Sequence, residues 1–107
     1  MKILILGASG DVGREVTTEA QNRGHQITAS ARNVLRLSSL DAEIKIEALD
    51  VSDDIEKLEW LMQDHDVVVS ALRPVAGEEA KLVSMTNTVL VAARKTGKPV
   101  FITGGAG

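Results

Sequence analysis

The feature that most constrains this sequence is a glycine-rich segment, Gly-Ala-Ser-Gly-Asp-Val-Gly, at residues 7–13. It follows an apolar run at residues 3–6 without polar alternation, which is typical of a strand covered on both faces in a parallel sheet. Beyond it, Val12, Val16 and Ala20 recur at helical spacing, and Gly24 stands where a helix usually ends. The sequence therefore predicts a strand, a tight turn and a helix in direct succession.

The rest of the chain repeats this alternation of strand and helix. Apolar runs predict further strands at residues 26–31, 43–49, 67–69 and 100–103. Helical patterns lie at residues 55–64 and 82–96, while residues 33–39 predict a weak helix or a loop. Such alternation leads to parallel pairing through right-handed crossovers. We therefore expect an α/β doubly wound parallel sheet, Rossmann-like, with five strands in the order 3-2-1-4-5 and helices on both faces.

More detailed predictions concern the last two helices and the histidines. Asp53 and Glu56 resemble a capping pair at the start of the helix over residues 55–64. His25 and His65 stand at element boundaries, so we expect both imidazoles to be solvated. The expected inner face of the later helix consists of Leu82, Val83, Thr86, Val89, Leu90 and Ala93.

The length bounds the organisation of the chain. Its 107 residues suffice for one domain with one core, residues 1–107. The sequence ends in Gly-Gly-Ala-Gly directly after the fifth predicted strand, which would leave that strand as an apolar sheet edge. We therefore expect a domain truncated at its C-terminus, or one that covers strand five in a homodimer.

Charge and composition exclude several classes of partner. The formal net charge is -3, and no lysine or arginine run has the density of a phosphate-backbone binder, so we expect no nucleic acid partner. The sequence has no cysteine and only two histidines, which predicts no metal site. No apolar stretch approaches the ~20 residues of a membrane helix, and no signal peptide precedes the first strand. These features predict a cytoplasmic protein that does not bind membranes.

The glycine segment has the pattern of a dinucleotide-binding turn. Its first glycine permits the tight turn, its second lets the backbone approach a pyrophosphate, and its third lets the helix pack close to the sheet. The helix start would point free N–H groups at the phosphates, and a serine hydroxyl could add a donor. The alternative is a tight strand-to-helix connection alone, with Asp11 a solvated acid. The candidate binding residues here are Gly7, Ser9, Gly10, Asp11, Val12 and Gly13.

The end of the second predicted strand indicates which dinucleotide the chain prefers. An NAD site usually offers an acid to the ribose hydroxyls about 20 residues beyond the glycine turn. Here the sequence Ser-Ala-Arg-Asn at residues 30–33 contains no acid, and Arg32 places a planar cation where a 2′-phosphate would lie. We therefore expect NADP(H) rather than NAD(H). The alternative is that Arg32 is a surface arginine on a loop.

Two further strand ends would border the same site. Asp50 and Val51 close the third strand, where the carboxylate could accept a hydrogen bond from the adenine amino group or begin the cap of the next helix. Ala71 and Leu72 close the fourth strand, where small side chains would leave room for the nicotinamide ribose.

Several segments together resemble a known family. They are the glycine turn, Leu-Asp-Val at residues 49–51, Val-Val-Val-Ser-Ala-Leu at 67–72, Thr-Asn-Thr-Val-Leu-Val-Ala-Ala-Arg at 86–94 and Val-Phe-Ile-Thr-Gly-Gly-Ala-Gly at 100–107. This combination resembles the atypical short-chain dehydrogenase/reductase superfamily, within it the NmrA-like and NADH-flavin-reductase-like group. The resemblance implies that the glycines hold the pyrophosphate, Arg32 the 2′-phosphate, Asp50 and Val51 the adenine, and Ala71 and Leu72 the nicotinamide side.

The resemblance also implies a function. It favours the NADP(H)-binding domain of an oxidoreductase that transfers hydride to a flat aromatic acceptor, a flavin or a quinone. Two alternatives stay open: a non-catalytic NAD(P)-sensing or regulatory module, and a relative of sugar-nucleotide epimerases and dehydratases. Many short-chain dehydrogenases move the proton with a Tyr-x-x-x-Lys pair, but this sequence contains no tyrosine. The sequence therefore assigns no catalytic residue.

Overall fold

The computed structural model describes residues 1–38, 40, 42–73, 77 and 79–103. Strands and helices alternate along these residues as the sequence predicts. The strands are β1 (Lys2–Leu6), β2 (Gln26–Ala31), β3 (Lys45–Ala48), β4 (Val67–Ser70) and β5 (Val100–Ile102). The helices are α1 (Asp11–Asn22), α2 (Ile55–Gln63) and α3 (Glu79–Thr96), and a short 3₁₀ helix spans Val34–Leu37.

All five strands belong to one parallel sheet. Their order is β3-β2-β1-β4-β5, which confirms the predicted topology. The central strand β1 pairs with β2 on one side and with β4 on the other. Because the pairing is parallel, the carboxyl ends of the strands meet at one edge of the sheet, which we call the carboxyl edge.

The two faces of the sheet carry separate hydrophobic clusters. Leu4 and Leu6 of β1 point to the face covered by α2 and α3, where they join Leu58. Ile3 and Ile5 point to the opposite face, which α1 covers. Successive side chains of a strand alternate between its faces, so a strand buried on both sides must be apolar at every position. Helices thus cover both faces, as predicted.

The inner face of α3 differs from the prediction at two positions. Val83 and Leu90 are exposed, with 62% and 41% of their surface accessible. Met85 instead packs against the core, and Ala92 is buried beside Val89. The helix is apolar on more than one side, so its periodicity does not define a single stripe. Its packing against α2 as well as the sheet selects the side that is buried.

The residue that caps α2 is also not the predicted one. Asp54 is the N-cap, and its carboxylate accepts a hydrogen bond from the Lys57 N–H at 3.1 Å. Asp53 lies one residue earlier, in a turn where its own N–H donates to the carbonyl of Asp50 at 3.1 Å. That turn moves the start of the helix by one residue, so the prediction of Asp53 as the cap is wrong.

His65 is buried, contrary to the prediction of a solvated imidazole. Only 5% of its surface is accessible. Its Nδ1 lies 2.6 Å from the carbonyl oxygen of Leu61, and its Nε2 lies 2.7 Å from the hydroxyl of Thr28. Both ring nitrogens therefore have partners inside the protein, and the side chain links α2 to β2. His25 is partly exposed and lies 3.4 Å from the N-terminal ammonium.

Candidate functional site

The loops at the carboxyl edge stay attached to the sheet after the strands end. In three of them an N–H beyond the strand donates to the carbonyl at the end of the neighbouring strand, at 2.9 to 3.0 Å. The bonds run from Ala8 to Ser30, from Ala71 to Leu6 and from Leu49 to Ala31. The start of each of these loops is therefore fixed by the sheet itself.

Two positions in the turn after β1 require glycine. Gly7 has a φ of 72°, a left-handed conformation, and a Cβ there would lie 2.9 Å from the carbonyl oxygen of Ala71. Gly13 is buried at the start of α1, where a Cβ would collide with the carbonyl oxygen of Gly7 and lie 2.8 Å from Cα of Ala8. The turn thus packs backbone to backbone against the end of β4 on one side and against α1 on the other.

The second glycine of the turn, Gly10, leaves the start of α1 open. Gly10 is the N-cap, in an extended conformation with φ −79° and ψ 169°, and no side chain caps the helix. Within the described residues, a Cβ at Gly10 would meet only Cδ of Arg73 at 3.5 Å and the carbonyl oxygen of Gly7 at 3.9 Å. The first N–H groups of a helix lack intrahelical acceptors and carry the positive end of its dipole. This accessible helix start therefore fits a phosphate group.

A cleft of about 260 Å³ lies over the carboxyl edge. It is bordered by the segments that follow β1, β2, β3 and β4, and by the first turns of α3. The structure brings together predicted site residues from four separate parts of the chain. Those that line the cleft are Gly7, Ser9, Gly10, Arg32, Asp50, Val51, Ala71 and Leu72.

Three predicted residues do not line this cleft. The side chain of Asp11 is exposed, and that of Val12 is partly buried. Gly13 lies beneath the turn, where its role is the close packing of α1. A cofactor contact from the side chain of Asp11 or Val12 stays a prediction.

The cleft also contains basic residues that the sequence prediction missed. Arg36, Arg73 and Lys81 line it together with Arg32, whereas Asp50 is the only acidic side chain among its described lining residues. The described lining of the cleft is therefore positively charged, although the whole chain has a net charge of -3. A cleft of this composition suits a ligand with several negative charges.

Arg36 reaches the cleft from a segment that the sequence predicted only as a weak helix or a loop. It lies on the 3₁₀ helix that follows Arg32. The 3₁₀ helix that carries it begins at Asn33, whose side chain accepts a hydrogen bond from the Leu35 N–H at 3.1 Å. The guanidinium of Arg14 also donates to the backbone carbonyl of Arg36 at 2.9 Å. These bonds hold the segment beside α1.

Asp50 serves the local turn and the cleft together. Its Oδ1 accepts a hydrogen bond from the Ser52 N–H at 2.9 Å, and its carbonyl accepts from the N–H groups of Asp53 and Asp54. Its other carboxylate oxygen forms no hydrogen bond with a described residue, and the side chain lines the cleft. The structural role before α2 is thus compatible with a contact to a ligand.

Other functional groups can be assessed only for the described part of the chain. Within it, no group of three or more histidine, cysteine, aspartate or glutamate side chains could hold a metal ion. No helix there is long and apolar enough to cross a membrane. The hydroxyl of Thr103 donates to the carbonyl of Ser70 at 3.2 Å, next to the end of β4.

Comparison with known families decides the cofactor class. A family model described as NAD(P)H-binding matches residues 7–107. The chain belongs to the NAD(P)H-binding family. Its ligand class is therefore a nicotinamide dinucleotide, and the cleft described above, with its glycine turn and open helix start, fits that ligand.

Individual relatives of this NAD(P)H-binding chain are longer. The uncharacterized protein YwnB of Bacillus subtilis is 34% identical over 109 residues, which cover 100% of this chain and 48% of that protein. A crystal structure of a candidate exported protein from Burkholderia pseudomallei has 35% identity and a TM-score of 0.79, covering 100% of this chain and 49% of the other. The chain thus spans about half the length of these relatives.

A third relative carries the name of an enzyme class. The structure of a candidate epimerase from Bacteroides thetaiotaomicron has 28% identity and a TM-score of 0.78, and the match covers 94% of this chain and 45% of the other. Together with the family match, these structures confirm the predicted Rossmann-like fold and the resemblance to NAD(P)-binding proteins.

Proposed function

We propose that this NAD(P)H-binding chain prefers NADP(H) and supplies the cofactor-binding part of an oxidoreductase. The observation that carries the preference is the pair Arg32 and Arg36, which line the cleft beyond the end of β2 where an NAD site offers an acid. A guanidinium presents a planar set of donors that matches phosphate oxygens. Two of them at this place suit the 2′-phosphate that distinguishes NADP(H) from NAD(H).

The arginine pair has no acidic partner of its own in the described part of the chain. Both side chains are exposed, and neither forms an ion pair with a described residue. Two like charges that line one cleft repel each other, and an anion between them removes that repulsion. A 2′-phosphate would therefore gain more from this pair than from one isolated arginine.

We propose places for the other parts of the cofactor from the order of the strands. The pyrophosphate would lie at the glycine turn after β1, held by the N–H groups at the start of α1 and by Ser9. The adenine would lie beside Asp50 and Val51 after β3, and the nicotinamide beside Ala71 and Leu72 after β4. This assignment follows the cleft from one side of β1 to the other.

The nicotinamide half of the cleft supports a flat apolar acceptor. Leu72, Leu82 and Met85 line it on the side of β4 and α3, and all three are partly buried. The bound nucleotide would supply the hydride chemistry, while the protein binds and orients it and the acceptor. An isoalloxazine or quinone ring presents the flat, largely apolar surface that these side chains can contact.

Calorimetric titration of the purified chain with NADPH and NADH tests the cofactor preference. A charge-assisted hydrogen bond contributes about 1.5–3 kcal/mol, so we expect NADPH to bind roughly ten- to a hundredfold more tightly. Arg32→Ala and Arg36→Ala should each reduce this preference without changing the affinity for NADH. Arg23→Ala is the matched control, because that arginine pairs with Glu19 at the far end of α1. Equal affinities of the original chain for both nucleotides would contradict the proposal.

A regulatory module that binds NADP(H) without turnover is the second candidate function. It is favoured by the described lining residues of the cleft, which suit an anionic ligand but include no tyrosine that could act as a base. An assay of NADPH oxidation with flavin or quinone acceptors separates the oxidoreductase from the regulatory module. The reaction is followed by the absorbance of the reduced nicotinamide. Turnover above the rate of the free reagents supports the oxidoreductase, and tight binding without turnover supports the regulatory module.

We also propose that a second copy of the chain covers β5. Phe101 and Ile102 on this edge strand are 64% and 47% exposed. An apolar edge strand is a template for further strand pairing. Light scattering coupled to size exclusion should therefore give the mass of a dimer, and Phe101→Lys should give the monomer. A monomeric mass for the unchanged chain would contradict this.

A further inference from the structure

Arg73 lies beside the glycine turn, on the opposite side from the adenosine half of the cleft. It follows β4, which pairs with β1 on one edge, whereas Arg32 follows β2, which pairs with β1 on the other. Its Cδ would lie 3.5 Å from a Cβ placed on Gly10, the residue at which α1 begins. The guanidinium is bonded directly to this Cδ through Nε, which keeps it within a few bond lengths of the helix start.

Among the described residues, Arg73 has no acidic partner. The side chain is exposed and lines the cleft, and it forms no ion pair with any described residue. The acidic side chain among the described lining residues, Asp50, follows β3 and is separated from β4 by β2 and β1. A free guanidinium and the open N–H groups of α1 thus border the same small region of the cleft.

We propose that Arg73 is a pyrophosphate-binding residue that acts together with the start of α1. The N–H groups of α1 would hold the pyrophosphate from the side of β1, and the guanidinium of Arg73 would hold it from the side of β4. This proposal rests on the nicotinamide dinucleotide occupying the cleft. It gives the two arginine sites different tasks: Arg73 strengthens binding of every dinucleotide, while Arg32 and Arg36 distinguish NADP(H) from NAD(H).

Ligands that contain only part of the cofactor separate these tasks. ADP-ribose has the pyrophosphate but no 2′-phosphate, and adenosine 2′-monophosphate has the 2′-phosphate but no pyrophosphate. Arg73→Gln should reduce the affinities for NADPH, NADH and ADP-ribose by a similar factor, about tenfold. The affinity for adenosine 2′-monophosphate should not change. Arg32→Ala should show the reverse pattern: the affinities for NADPH and adenosine 2′-monophosphate should fall, and the affinity for ADP-ribose should not change.

Controls distinguish a pyrophosphate contact from a general effect of charge. Arg94→Gln removes the same charge from an exposed position of α3 outside the cleft and should change no affinity. Arg73→Lys keeps the charge without the planar fork and should recover part of the loss. Melting curves of all variants show whether the fold is retained.

The outcomes separate this proposal from the proposed function. If Arg73→Gln binds ADP-ribose and NADH as tightly as the unchanged chain, Arg73 does not contact the pyrophosphate, and the cofactor site stands without it. A loss restricted to the turnover of anionic acceptors would also overturn the proposal, because the arginine would then hold the acceptor. If the unchanged chain binds neither NADPH nor ADP-ribose, the proposed function fails together with this role.

Discussion

Helices α1 and α2 begin in opposite ways. Helix α2 starts at Asp54, whose carboxylate accepts a hydrogen bond from the Lys57 N–H, so the protein supplies its own negative charge there. Helix α1 starts at Gly10, where no side chain caps the helix and the surrounding cleft is basic. The first N–H groups of a helix lack intrahelical acceptors. In α2 a side chain of the protein accepts from one of them, whereas in α1 no described side chain does.

This difference shows where the chain gives up local stability for binding. A glycine N-cap costs a helix only a few tenths of a kcal/mol relative to an aspartate cap, so the stability that α1 gives up is small. The arrangement makes sense when a phosphate takes the place of the missing carboxylate. A helix start that is uncapped, bordered by cations and fixed by packed glycines is thus a better indication of an anion site than the glycine pattern alone.

The largest effect is expected from Gly13→Ala, which would push α1 away from the turn that presents its open start. The added Cβ would collide with the carbonyl oxygen of Gly7, so we expect a loss of about 3 kcal/mol in the free energy of unfolding and no measurable nucleotide binding. Urea unfolding and calorimetry measure the two effects. Gly24→Ala is the control: it has a φ of 86° but no described atom within 4 Å of its added Cβ, so only about 1 kcal/mol of backbone strain should appear. Equal losses in both variants would contradict the close packing.

Gly10→Asp should convert the start of α1 into one that resembles the start of α2. The extended backbone of Gly10 accepts any residue, and the new carboxylate could cap the helix, so stability should be unchanged or rise by a few tenths of a kcal/mol. The same carboxylate would repel the pyrophosphate, and we expect NADPH affinity to fall about a hundredfold, or roughly 2.7 kcal/mol. The asparagine of Gly10→Asn has nearly the same shape as aspartate but no charge, so this variant should lose much less NADPH affinity. Similar losses for Asp and Asn would indicate a steric effect instead.

Asp54→Ala should affect only the internally capped helix. We expect a loss of about 1 kcal/mol in the free energy of unfolding, with NADPH affinity unchanged. Asp53→Ala is the matched comparison, because its side chain does not cap α2 and its loss should stay below about 0.5 kcal/mol. A larger effect at Asp53 than at Asp54 would show that the helix begins one residue earlier in solution.

The smallest effect on stability is expected from Asp66, whose carboxylate accepts a hydrogen bond from an N–H of the sheet rather than of a helix. Asp66 accepts a hydrogen bond from the Lys2 N–H at 2.7 Å, and this bond, aided by nearby positive charges, lowers the pKa of Asp66 despite partial desolvation. Because the pKa is lower in the folded chain, the stabilisation is complete above the unfolded value, near ~4, and is lost as pH falls through the folded value.

Asp66→Asn should therefore remove this part of the acid dependence of stability. The two proteins should differ in stability at neutral pH and converge as the pH falls below about 4. Urea unfolding across this pH range measures the difference. Parallel curves over the whole range would mean that Asp66 does not titrate differently in the folded chain.

Much of the fold could be predicted because it depends on local patterns. The unbroken apolar run of β1 requires burial on both faces, and a strand in that position requires parallel neighbours. The glycine turn could also be predicted, since Gly7 and Gly10 stand between the strand and the helix and Gly13 lies in the first turn of the helix. These features are encoded within a few residues of one another.

Apart from the one-residue shift of the α2 cap, the errors concern features that depend on distant partners. The burial of His65 requires the hydroxyl of Thr28, which is 37 residues away in the sequence. The buried side of α3 depends on α2, and the entry of Arg73 into the cleft depends on the adjacency of β1 and β4. Arg36 lies on a short 3₁₀ helix in a segment whose sequence predicted only a weak helix or a loop.

The backbone bonds that join the carboxyl-edge loops to the sheet tie ligand binding to the cooperativity of the whole domain. The N–H of Ala8 donates to the carbonyl of Ser30 in β2, and the N–H of Ala71 donates to the carbonyl of Leu6 at the end of β1. These two bonds lie at the base of the cleft. We therefore expect the floor of the cleft to open together with the sheet rather than in a separate local step. A bound nucleotide should thus slow amide hydrogen exchange across the sheet as well as in the loops, because it stabilises the only state in which these bonds exist.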